Sequence, residues 1–126
     1  PYGVGVLLPH VIAFNLAVLP HKVAPLAEAL DVHVAGLNRA AVIEACAASI
    51  RSLYDDISFP QRFTADQLPR QRVREMAERA VPGLYAGIAA QDFDPASAGD
   101  HTVIACPSAR KMTVSQAQAI LERCLA

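Results

Sequence analysis

The sequence predicts an all-α fold, a bundle-like packing of about five helices. Three observations predict it. Apolar residues recur at i, i+3 and i+4 through much of the chain, capping signals stand at Asn38 and Thr113, and the one β-branched run, Thr102 to Cys106, is too short for a strand. The 126 residues fit a single domain, 1–126, with enough chain to bury one core. At 53% hydrophobic and 18% charged residues, the chain falls below the ~25% charge usual in soluble domains, so part of its apolar surface is expected to lie against a partner.

The first element spans Val4 to Leu19 and is apolar on nearly all sides, which calls for cover all round. Pro9 removes an internal helical hydrogen bond, predicting either a helix that starts near Leu8 or a kink. Pro9, His10, Asn15, Pro20 and His21 interrupt the run before the ~20 residues a bilayer span requires, and no basic segment or cleavage site marks a leader. It reads as a core helix. The chain opens Pro1-Tyr2-Gly3 directly before it, without a Met, and is read as a fragment.

A short helix is expected around Pro25 to Leu30, with Pro25 in its first turn, followed by an Asp31 to Gly36 linker. Asn38 is the N-cap of a long helix running to about Asp56, with Leu37 and Val42 placed as a hydrophobic staple. Its apolar face is Val42, Ile43, Cys46, Ile50, Leu53, Tyr54 and Ile57, and Phe59-Pro60 stops it. Phe63 and Leu68 are expected to pin the following turn. From Pro69 or Arg70, the positions Val73, Met76, Ala77, Ala80 and Val81 mark another amphipathic helix, carried past Pro82-Gly83 toward Ala90 with a kink. Residues 91–100 read as an exposed loop. Thr113 to Gln116 is a capping box, and Val114, Ala117, Ile120, Leu121, Cys124 and Leu125 form the stripe of a terminal helix.

Composition restricts function. A net charge of -1 and a pI near 6.5 give no overall attraction to nucleic acid or an anionic membrane, so neither is expected as a partner. Cys46, Cys106 and Cys124 are an odd set without paired spacing and are read as reduced thiols in the cytoplasm. No glycine-rich phosphate loop occurs.

Candidate chemistry is sparse. His10, His21, His33 and His101 lack the i, i+3 or i+4 relation that puts two imidazoles on one helical face, so no metal site is assigned to them. Asp55 and Asp56 are adjacent and diverge, which suits exposure. Arg70, Arg72, Arg74 and Arg79 are interleaved with Glu75 and Glu78 and read as a solvated face. No nucleophile stands in a G-x-S-x-G elbow. Cys106 differs because it lies in an apolar stretch before a capped helix, with Arg110 and Lys111 nearby.

The segment Leu7-Leu8-Pro9-His10-Val11-Ile12-Ala13-Phe14-Asn15 resembles the LLPHVxxFN motif of the iron-containing alcohol dehydrogenases, the group that includes lactaldehyde and maleylacetate reductases. Further landmarks agree in order. Leu26 to Leu30 resembles the family's IAEALG helix, Asp56 to Pro60 its DIGIP turn, and Cys106 to Arg110 with Thr113 its terminal NPR-x-x-T segment.

The resemblance implies that 1–126 is the C-terminal part of a helical, dehydroquinate-synthase-like domain. It further implies an upstream Rossmann-like portion that binds NAD(P), iron or another divalent metal held by one Asp and three His, and a small alcohol or aldehyde as substrate. In such enzymes the metal polarises the substrate oxygen while hydride passes to or from the nicotinamide. By this resemblance the last metal ligand falls immediately before Pro1, or Tyr2-Gly3 replaces its HG pair. Either way this chain holds no catalytic residue, metal ligand or cofactor contact, and would be inactive alone. The resemblance gives Tyr2 and Cys106 as its substrate-pocket residues, gives His10 no metal role, and leaves homo-oligomerisation open. The contrasting expectation is a stand-alone helical interaction domain that grips a partner with its apolar first helix.

Overall fold

A computed structural model describes residues 2–85 and 112–126, and its order of elements is α1 (Gly3–Leu16), α2 (Pro20–Ala29), α3 (Arg39–Asp56), a 3-10 turn (Arg70–Arg72), α4 (Val73–Tyr85) and α5 (Val114–Arg123). The described residues are all-α, as the apolar periodicity predicts. Among them the one extended contact is an isolated parallel bridge between Phe63 and Leu125. The Phe63 N–H donates to the Cys124 carbonyl at 2.7 Å and the Ala126 N–H to the Phe63 carbonyl at 3.0 Å, tying the turn after α3 to the end of α5.

α1 runs between two clusters of side chains. On one side, Leu16 joins Val23 and Ala27 of α2 and Val42 and Cys46 of α3, with Ile12 packed against them. On the other, Leu7 and Phe14 pack against Ala77 of α4 and Ala117 and Ile120 of α5. Val6, Pro9 and Leu16 are its buried residues, and most of the others are half-buried. Val4, 81% exposed, and Leu8, 38% exposed, are the exceptions.

The late start near Leu8 does not hold, because the helix begins at Gly3 with Pro9 inside it. Pro9 has no N–H for the Gly5 carbonyl, and the Tyr54 hydroxyl donates to that carbonyl at 2.9 Å. α2 also differs from expectation. It starts at Pro20, whose fixed φ suits the first helical position, and Pro25 lies inside it.

Two helices end in Schellman motifs that the sequence reading did not anticipate. In α2, Asp31 (φ 54°) takes the left-handed position, with its N–H on the Glu28 carbonyl and that of Val32 on the Ala27 carbonyl. In α3, Ser58 (φ 55°) does the same, with its N–H on Asp55 and that of Phe59 on Tyr54. The stop of α3 thus precedes Pro60 by local hydrogen bonding, beyond the steric effect of the proline.

Both predicted N-caps form. The Asn38 side chain accepts from the Ala41 N–H at 2.9 Å. Thr113 Oγ1 accepts from the Gln116 N–H at 3.1 Å while Gln116 Oε1 accepts from the Thr113 N–H at 2.9 Å, a complete capping box. The buried face of α3 is narrower than its apolar stripe: Val42, Cys46, Ala47, Ile50 and Tyr54 are buried, whereas Leu53 and Ile57 are exposed. Leu37, half of the expected staple, is 44% exposed. α4 continues through Pro82-Gly83 to Tyr85, and the rest of its expected course lies outside the described residues.

Candidate functional site

Tyr2 and Gly3 at the start of α1, Val6 one turn later, and Pro60, Arg62, Phe63 and Gln67 of the turn after α3 enclose a half-open cleft of about 320 Å³. Tyr2, 51% exposed, stands at its edge. Its ring meets Phe59 edge-on at 5.8 Å between centroids, and Phe59 packs on Tyr54 at 4.7 Å. Phe59 covers Gly5 so closely that a Cβ there would lie 2.3 Å from Phe59 Cζ. The first turns of α1 are thereby pressed onto the end of α3, which sets one wall of the cleft.

The opposite wall depends on the Phe63 bridge to α5. Arg62 Nη1 donates to the Leu125 carbonyl at 2.8 Å, fixing a guanidinium beside the cleft. Gln67 Oε1 accepts from the Thr64 N–H at 3.0 Å and Thr64 Oγ1 accepts from the Gln67 N–H at 3.4 Å, so the Gln67 side chain is held by its own turn. Neither Arg62 nor Gln67 belongs to a motif. The sequence signal was confined to a polar turn between Pro60 and Leu68, which says nothing about what the turn faces.

The histidines do not gather. His10 is half-buried on α1, while His21 and His33 are exposed, and His101 lies outside the described residues. Burial first, then the charges of Arg51 and Arg123, hold His10 below the usual histidine value; Arg62 adds to this and Glu44 opposes it. The carboxylate that acts on this imidazole, Glu44, is itself paired with Arg51. Among the described residues no three His, Cys, Asp or Glu side chains come together as metal ligands. The donor set present does not fit a metal, and no metal-assisted step is assigned to these residues.

The remaining candidates divide in the same way. Cys46 and Cys124 are buried thiols whose pKa values burial pushes up, the reverse of what a nucleophile requires. Arg72 pairs with Glu75 at 3.4 Å, Arg74 with Glu78 at 2.7 Å and Arg79 with Glu75 at 3.8 Å, all on an exposed face of α4 and its leading turn. Asp55 accepts from Gln61 Nε2 in the turn after α3, and Asp56 is exposed. Cys106 lies outside the described residues. No helix among those described is long and apolar enough to cross a membrane.

What the described residues present is a helical region with a cleft, packed around an apolar central helix, and without an assembled catalytic set. The model of the Fe-containing alcohol dehydrogenase family, C-terminal, matches residues 2–122, and the chain belongs to that family. It is 36% identical over 83 residues to a 1,3-propanediol dehydrogenase of Klebsiella pneumoniae, a stretch amounting to 64% of this chain and 21% of that protein. The match thus spans about a fifth of the relative's length. No solved structure matches the chain.

Proposed function

We propose that this chain is the C-terminal helical region of an alcohol dehydrogenase that transfers hydride between NAD(P) and a small alcohol or carbonyl compound. The observation that carries the proposal is the family match over residues 2–122. The identity to a 1,3-propanediol dehydrogenase favours a short alcohol or diol as substrate and makes 1,3-propanediol the first compound to test.

In this reading iron, or another divalent metal, and the nicotinamide are held by an upstream portion of the same protein, which works in the cytoplasm. The present chain supplies apolar packing and a wall of the substrate pocket, with Tyr2 and Cys106 as lining residues. The chain alone is inactive.

The experiment compares the full protein with residues 1–126. The full protein, supplied with Fe(II), should reduce NAD(P) with 1,3-propanediol or another short alcohol, and its upstream sequence should contain an Asp-x-x-x-His pair and a glycine-rich cofactor loop. The isolated chain should neither bind metal stoichiometrically nor turn over. Activity or tight metal binding in the isolated chain would refute the division, and a full protein inert toward small alcohols and aldehydes would refute the activity.

A further inference from the structure

The cleft between α1 and the turn after α3 has an uneven chemistry. Its floor and sides include Val6, Pro60 and Phe63, and its polar side chains are Tyr2, Arg62 and Gln67. Among the described residues no acidic side chain lines it. Arg62 spends one N–H on the Leu125 carbonyl, which leaves the rest of a guanidinium that is held in place. Gln67 spends its side-chain oxygen on the Thr64 N–H, so what it can offer a guest is its amide N–H2. The described lining therefore sets a guanidinium and an amide N–H2 beside an apolar surface, with the Tyr2 hydroxyl able to donate or accept.

A volume of about 320 Å³ lies at the small end of ligand sites.

We propose that this cleft binds a small monocarboxylate, with its carboxylate on Arg62 and Gln67 and its apolar body against Val6, Pro60 and Phe63. A neutral alcohol of the same length leaves the guanidinium without its charged partner, and a carboxylate accepts from a fixed guanidinium in the strongest hydrogen-bond class proteins use. The cleft shares Tyr2 with the substrate-pocket wall of the hydride-transfer reading, but Arg62 and Gln67 have no part in that reading and the readout is occupancy, which needs no turnover.

The test is calorimetric titration of the full protein with butyrate, with butan-1-ol as the neutral control. Butyrate should bind saturably and butan-1-ol much more weakly. Arg62→Gln should weaken butyrate about tenfold while leaving the weak butan-1-ol response alone, and Arg62→Lys should recover part of the loss. Arg62 also holds the Leu125 carbonyl, so thermal unfolding of each variant is measured alongside. Gln67→Leu removes the second donor outside that contact and should weaken butyrate several-fold. No saturable butyrate binding, equal binding of butyrate and butan-1-ol, or undiminished binding by folded Arg62→Gln or Gln67→Leu would overturn the proposal.

Discussion

The Tyr54 hydroxyl donates across the interface of α1 and α3 to the Gly5 carbonyl, 2.9 Å away and 49 residues distant in sequence. That carbonyl is the one Pro9 deprives of its helical partner, since Pro9 stands four residues after Gly5 and has no N–H. A side chain of one helix thus completes the backbone bonding of another. Tyr54 is itself buried, at 8% exposure, so neither its hydroxyl nor the carbonyl has an easy alternative in water.

Tyr54→Phe should therefore cost about 1–3 kcal/mol of unfolding free energy, the usual penalty for orphaning a buried acceptor. The partnership makes a sharper prediction in a double-mutant cycle. Pro9→Ala returns an N–H to the helix, so in that background Tyr54→Phe should cost roughly 1 kcal/mol less. Urea unfolding of the four proteins measures both quantities, and strictly additive costs would show that Pro9 and Tyr54 do not cooperate.

Gly5→Ala would ordinarily favour a helix by about 1 kcal/mol. Here the added methyl meets Phe59 Cζ at 2.3 Å, so the sign should reverse and the variant should lose about 1–3 kcal/mol. Adding Phe59→Leu, which removes the ring from above Gly5, should recover part of the loss. Thermal unfolding midpoints decide it; a Gly5→Ala variant more stable than the parent would mean that Phe59 moves aside freely.

How legible this arrangement was depends on the range of the interactions. The caps at Asn38 and Thr113 need partners three residues away, so the sequence shows both halves and the structure forms both. The course of α1 needed Tyr54, far along the chain, and read locally Pro9 could only mean a late start or a kink. α1 is apolar on nearly all sides, so its sequence calls for cover all round without saying which elements supply it. Its place between the α2–α3 cluster and the α4–α5 cluster is tertiary information that no periodicity contains. At the cleft, the family resemblance singles out Tyr2 as standing where the HG pair falls, whereas Arg62 and Gln67 belong to no motif and line the cleft beside Phe63, whose bridge to Leu125 ties their turn to the end of α5.

Ser58 closes α3 with φ at 55°, a conformation that costs a side-chain-bearing residue about 1 kcal/mol and glycine almost nothing. Its side chain is exposed, so nothing packed is lost on removing it. Ser58→Gly should stabilise the chain by roughly 0.5–1 kcal/mol after allowing for the greater freedom of glycine in the unfolded state. Ser58→Val should do the reverse, because β-branching makes the left-handed region worse. A chemical denaturation series ranking Gly above Ser above Val checks the assignment.

His10 gives stability a definite pH dependence. Burial and the facing charges of Arg51 on α3, Arg123 on α5 and Arg62 in the turn, opposed only by Glu44, depress its pKa in the fold below the ordinary 6.5. Above 6.5 the imidazole is neutral in both states and its contribution is fully present. As pH falls below that value the unfolded chain takes up a proton that the folded chain resists, so stability declines until the folded pKa is passed and then levels. Urea midpoints measured between about pH 7.5 and about pH 5 should fall for the parent, whereas His10→Gln, which cannot take that proton, should show a flatter course. Because His10 is only half-buried, solvent screens part of the effect. The discriminating quantity is the difference in slope between the two proteins, and identical slopes would remove His10 from the account.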